Sequence, residues 1–244
     1  MLLFERAFQW NCHSQVRFLC NPLKTHSKEL LRLVELYVTV KSFILKAEEL
    51  DARLESNIAV IKEQRDALDH IMRFIGRCLQ SDFECKEEDE EYLSLQIDKA
   101  CGHLYRAGYD SLDGIIASVT VRIREDYLKD VPLASIRDVM PEYWSEYVPR
   151  LDEIKLKAGE HREQKDIGDS NGESFAAYQE LALDALRIDN AIRDRRAALQ
   201  DHIGKAEDDA DRKKKKEWKV RYLIPIIASV VGALAGWLLT LVFG

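Results

Sequence analysis

His103, Arg106, Asp110 and Asp113 follow one another at intervals of three, four and three residues. On a helix that spacing stacks an imidazole, a guanidinium and two carboxylates along one face. Such a set can move a proton, hold an ion or knit two helices together. Two arrangements are open. In one the stripe is exposed, with Arg106 and Asp110 paired four residues apart for a few tenths of a kcal/mol. In the other it is a buried polar network against the first helix, fixing helix register or receiving a ligand. Gly102 and Gly108, costly inside a helix, point to close backbone approach beside it. Cys12, His13, Cys20 and His26 are all metal-ligand types, but their spacing fits no standard zinc pattern, and no metal is expected.

No glycine-rich phosphate loop, HExxH or GxSxG occurs, so ordinary nucleotide hydrolysis, zincin and α/β-hydrolase chemistry lack support and no cofactor is expected. The chain has 244 residues, with 36 Lys and Arg against 43 Asp and Glu. Positions 212–244 hold seven of the basic residues and one acidic residue, leaving 29 basic and 42 acidic before them, a net charge of −13. An acidic body on a basic neck is poorly suited to non-specific nucleic-acid binding, and no DNA partner is expected. Five cysteines without CxxC spacing read as free thiols in a reducing compartment.

Helices must position these residues, since no alternating, β-rich stretch appears. From Ser27 to Leu79 no proline and only Gly76 interrupt apolar positions recurring every three or four residues, among them Leu33, Tyr37, Val40, Ile44, Leu50, Leu54, Ile58, Ile61, Leu68, Met72, Ile75 and Leu79. The spacing predicts one long amphipathic helix with that set inward. Unbroken, it would reach roughly 80 Å, so it either kinks or packs partly on another subunit. The acidic stretch Ser81 to Glu91 reads as a loop, and a second helix is expected from about Glu91 to Tyr127, ended by Asp130-Val131-Pro132. A third starts at Pro141, carries Trp144, Val148, Leu151 and Ile154 inward, meets a kink-prone Pro149 and ends near Gly168. Gly168 to Gly172 is the clearest turn. A fourth begins at Glu173, with Tyr178, Leu181, Ala185, Ile188, Ile192, Leu199, Ile203 and Ala206 on one side. The expected fold is all-α: a long-helix antiparallel bundle over residues 28–211 after an N-terminal extension, 1–27.

Tyr222 to Phe243 holds 22 residues without a formal charge. At 1.5 Å per residue it covers roughly 33 Å, enough for one pass through a hydrocarbon core of about 30 Å. The neck, 212–221, supplies Lys213, Lys214, Lys215, Lys216, Lys219 and Arg221 for anionic headgroups, with Trp218 and Tyr222 at the interface. Only Gly244 follows the span, so the positive-inside rule reads it as a tail anchor with a cytoplasmic body, and the expected location is a bacterial inner membrane. Met1 to Cys20 lacks the apolar run of a secretory signal. Within the span, Ala228, Gly232 and Gly236 form a small-xxx-small ladder through which helices can pack closely, so a homo-oligomer is expected.

Arg65-Asp66-Ala67-Leu68-Asp69-His70 resembles the Arg-x4-6-His signature of the HEPN superfamily, and His103 to Asp110 is similar to the aromatic-rich helix of those domains. The resemblance covers about residues 58–127. It implies a small helical-bundle domain of prokaryotic defence systems. In the family's ribonucleases it would give Arg65 phosphate or transition-state stabilisation and His70 proton transfer across a dimer groove. On an unbroken helix these two side chains lie about 140° apart. The family's membrane-attached branch, including a CRISPR-associated accessory protein, implies instead an oligomeric membrane effector that does not cleave RNA, with a protein or RNA activator of unknown identity. The expectation is therefore a self-associating, pore-forming or depolarising membrane protein of antiviral defence. The alternatives are a membrane-tethered HEPN ribonuclease and a SNARE-like or adaptor tether, the last suggested by the heptad-like segment Tyr178 to Ala210 before the neck.

Overall fold

A computed structural model describes residues 22–52, 55–80, 87–164 and 173–243. Among them every regular element is helical and no strand occurs. Seven α-helices follow in order: α1 Ser27–Leu50, α2 Ile58–Cys78, α3 Glu87–Val121, α4 Leu133–Val139, α5 Val148–Gln164, α6 Glu173–Trp218 and α7 Ile224–Phe243. The core forms around α3, which carries Leu93, Ala100, Ala107, Leu112, Ile115 and Val119 buried. Helices α1 and α2 both pack along α3, α6 packs on α3 as well, and α4 and α5 lie against α6.

The long first helix expected from Ser27 to Leu79 is two helices. Asp51 caps α1 with extended backbone, ψ 128°. Asn57 then starts α2, its side chain accepting the Ala59 N–H at 2.9 Å. Asp, Ser and Asn offer the backbone local hydrogen bonds that compete with helix, and here they win. Ser56 completes the turn by donating to Glu48 at 2.5 Å. Leu54, assigned to the inner seam, lies outside the described residues.

A second correction concerns which side of α2 faces in. Ile58, Ile61, Leu68, Met72, Ile75 and Leu79 are exposed, and α2 instead buries Val60, Ala67, Phe74 and Cys78. The two sets are offset by roughly 120° around the helix, so α2 has two apolar faces and only one meets α3. Tyr37 on α1 also faces outward, whereas Leu33, Val40, Ile44 and Leu50 are buried as expected.

Helix α3 begins at Glu87, not Glu91: the last acidic residues of the expected loop form its first turn, where negative charge meets the positive end of the helix. Residues 81–86 and the turn 168–172 lie outside the described residues. At its far end α3 widens into a π-helical turn, Arg122–Tyr127. Asp130 at φ 61° then turns the chain, and Pro132 caps α4, a short helix hidden between the two prolines. Another π turn, Tyr143–Tyr147, stands just before Pro149, where the widened backbone accommodates a residue with no N–H to donate. Leu151 and Ile154 point inward as expected, but Trp144 is exposed. On α6 the expected seam is buried from Tyr178 to Leu199, Ile203 is half-buried and Ala206 exposed.

Polar and ring contacts tie α1, α2 and α3 together. Arg77 near the end of α2 donates to Asp89 in the first turn of α3, at 2.8 and 2.6 Å. His26, buried at the head of α1, meets Phe74 of α2 edge to face.

Candidate functional site

The α2–α3 seam carries a half-buried polar cluster. Its members lie on the buried faces of the two helices: Glu63 and His70 on α2, Gln96, His103 and Arg106 on α3. Glu63 stands between Val60 and Ala67, on the face α2 turns to α3. Its Oε2 accepts from His103 Nδ1 at 2.7 Å and from Arg106 Nε at 2.8 Å. A carboxylate oxygen only accepts, so the bond to Glu63 needs the proton on His103 Nδ1, and Arg106 Nη2 lies 2.7 Å from that same nitrogen. The His70 ring stacks on His103, centroids 5.3 Å apart, and its Nδ1 meets Gln96 Oε1 at 2.8 Å.

The electrostatics follow from burial. The side chains of Glu63, His103 and Arg106 are 16%, 19% and 32% exposed. Burial pushes the Glu63 carboxyl up, but the hydrogen bonds from His103 and Arg106 outweigh it and hold the group below the usual carboxylate range. Nearby, burial pushes the Cys101 thiol up to about 11, which makes it inert. Among the described residues no group of three His, Cys, Asp or Glu could hold a metal ion.

The four-residue stripe therefore divides. His103 and Arg106 serve Glu63 of α2, and the expected Arg106–Asp110 pair is replaced by this longer-range one. Asp113 turns the other way and accepts from the Tyr178 hydroxyl of α6. Asp110 lines a cleft of about 410 Å³ at the α1–α2 turn, together with Ile44, Glu48, Asp51, Val60 and Gly114. Glu63 was not singled out by sequence; its place one turn from Val60 and from Ala67 was the signal that could have found it.

Arg65 and His70 are not brought together within the chain. The Arg65 side chain is 70% exposed and bonds Asp66 at 2.8 Å, while His70 faces α3. Cys12, His13 and Cys20 lie outside the described residues, and His26 spends its Nδ1 on Glu29 at 2.8 Å. Of the two glycines, Gly108 is a close approach: a Cβ there would lie 2.6 Å from the Phe175 ring and 3.1 Å from Val40. Gly102 is not, its nearest neighbour being Arg106 at 3.7 Å.

Glu173–Trp237 is one continuous helical run of 65 residues, with mean hydropathy 1.6 over its most apolar window, and is long and apolar enough to cross a membrane. Its side chains from Lys213 to Trp237 are exposed, including Lys214, Lys215, Lys216, Lys219 and Arg221. Among the described residues, a Cβ at Gly232 or Gly236 would meet no atom within 4 Å. Against known proteins, the chain matches no family model, no curated protein and no solved structure.

Proposed function

We propose that the chain is a helical bundle held on the cytoplasmic face of a membrane by α7, that its copies associate through that span, and that the assembled spans permeabilise the membrane. The observation that carries this reading is the unbroken helix that begins among core residues, passes through an exposed basic neck and continues into the apolar segment. Movement of the bundle is thereby coupled to the span. Seven basic residues immediately before the span favour a cytoplasmic body and contact with anionic headgroups. Among the described residues nothing requires glycine at 232 and 236, which suits Ala228, Gly232 and Gly236 to pack against a neighbouring span. One helix cannot enclose water, so permeation needs several copies.

A setting in bacterial antiviral defence is supported by the HEPN resemblance alone. The tethered ribonuclease asks Arg65 and His70 to act together, and their separate attachments within the chain do not favour it. The test is Gly232→Leu with Gly236→Leu, which keeps the span apolar and long enough to insert. Membrane localisation should be unchanged, the detergent-solubilised oligomer smaller and dye leakage on overexpression lost. Retention of native mass and leakage would overturn the reading.

A further inference from the structure

The outward face of α2 is an apolar stripe that none of the described residues covers. Ile58, Ile61, Leu68, Met72, Ile75 and Leu79, with Arg65 in third place, recur at alternating steps of three and four residues over the whole helix. Ile58 is 82% exposed and Leu68 56%. This is a heptad seam, a spacing that stays on one line only when the partner is another helix. At roughly 30 Å it is far longer than the scattered apolar residues of an ordinary surface.

We propose that the stripe docks on the same stripe of a second copy, the two α2 helices lying antiparallel about a twofold axis. The charges beside the seam select this arrangement. Set antiparallel with Arg65 against Leu68 of the second copy, the stripe from Ile58 to Ile75 is matched end to end. Lys62 of each copy then falls beside Asp69 of the other, and symmetry supplies that pair twice. In a parallel, in-register pair Arg65 would meet its own copy inside the seam, and the Lys62–Asp69 pairing would be lost. Arg65, within the seam, carries its own counter-ion in Asp66, and Asp69 beside the seam bonds Arg73 at 2.7 Å. Anchoring in one bilayer raises the local concentration of copies, which lets so narrow an interface form. The inference deepens the self-association proposed above, moving part of it from the span to the body. It rests on that reading only in placing copies in one membrane.

The test uses the full chain in the membranes of a bacterial expression host, with differently tagged copies co-expressed. Copies carrying Ile61→Cys and Met72→Cys should cross-link to each other with a short bis-maleimide, as should Arg65→Cys with Leu68→Cys, whereas copies all carrying Ile61→Cys should not. Lys62→Glu and Asp69→Lys should each cut the Ile61–Met72 cross-link about fivefold or more, and the two together should restore it. Both positions are exposed, so circular dichroism should show the variants folded. Ile61-to-Ile61 links would overturn the arrangement, and so would no links at all. A link from a thiol at 68 to Cys12 or Cys20 of its own chain would mean that residues 1–21 cover the stripe, which also overturns it. Repeating the cross-links in the Gly232→Leu, Gly236→Leu background separates the two proposals. Links that persist there while leakage is unchanged sink the span reading alone, and links missing from a chain that still leaks only with intact glycines sink this one alone.

Discussion

Glu63→Gln should weaken the body by about 2 kcal/mol, a figure that follows from the geometry around its carboxylate. Two charge-assisted donors meet one oxygen at 2.7 and 2.8 Å. Breaking a fully buried ion pair costs about 3–5 kcal/mol, and an exposed pair is worth about 0–1 kcal/mol. Glu63 at 16% exposure lies near the first limit, but Arg106 at 32% can regain water, and glutamine still accepts one bond. A double-mutant cycle with Arg106→Met, which keeps much of the packing, should give a coupling of about 1–1.5 kcal/mol. The sign with pH is fixed. The carboxyl is held low in the folded state, so its contribution is complete above the unfolded carboxylate value of about 4.3 and is lost as pH falls through the lower folded value. The gap between wild type and Glu63→Gln should be flat from about pH 5 to 7 and close below about pH 4. Urea denaturation followed by far-UV circular dichroism, on a fragment spanning 22–211, measures both. A loss under about 0.5 kcal/mol at pH 7, or a gap that widens on acidification, would refute the argument that Glu63 works as an ionised, half-buried acceptor.

The two glycines of α3 should respond with opposite signs to alanine. At Gly108 the Phe175 ring must move, and overpacking of about 1–3 kcal/mol outweighs the helix-propensity gain, whereas Gly102→Ala should stabilise by about 0.5–1 kcal/mol; thermal melts of both decide, and equal signs would contradict the packing. A fragment ending at Asp211 removes no core residue, because the last one on α6 is Leu199, so it should remain in the supernatant of washed, disrupted cells with full helical content. A fragment that stays with the membranes would reveal a second membrane-binding element.

Composition and period were enough to read the helices of the described residues, the start of α6, its buried seam and an apolar segment long enough to cross a membrane, because each rests on a signal carried by the element itself. The break at Asp51 to Asn57 was harder to see. Neither glycine nor proline marks it, and the deciding interactions are one Asn cap and a Ser–Glu bond eight residues apart. The short α4 was hidden for a similar reason, since Pro132 ends one helix in sequence but caps another in space. In the polar cluster His103 and Arg106 were legible as a stripe. Their partner was not, because spacing on one helix carries no information about which residue of a second helix lies opposite.

The outward stripe of α2 shows where that limit bites hardest. Its six apolar residues form the more regular of the helix's two patterns, so period alone assigns them to the core. The chain instead buries Val60, Ala67, Phe74 and Cys78, a set whose smaller members let α2 approach α3 closely enough for Glu63 to reach His103 and Arg106. Were the helix rotated by the roughly 120° that separates the faces, the larger stripe would enter the core but Glu63 would leave both its donors, stranding a partly buried guanidinium and an imidazole N–H. The polar cluster thus selects which apolar face turns inward. It holds the heptad seam on the outside, available to a partner that lies beyond the single chain.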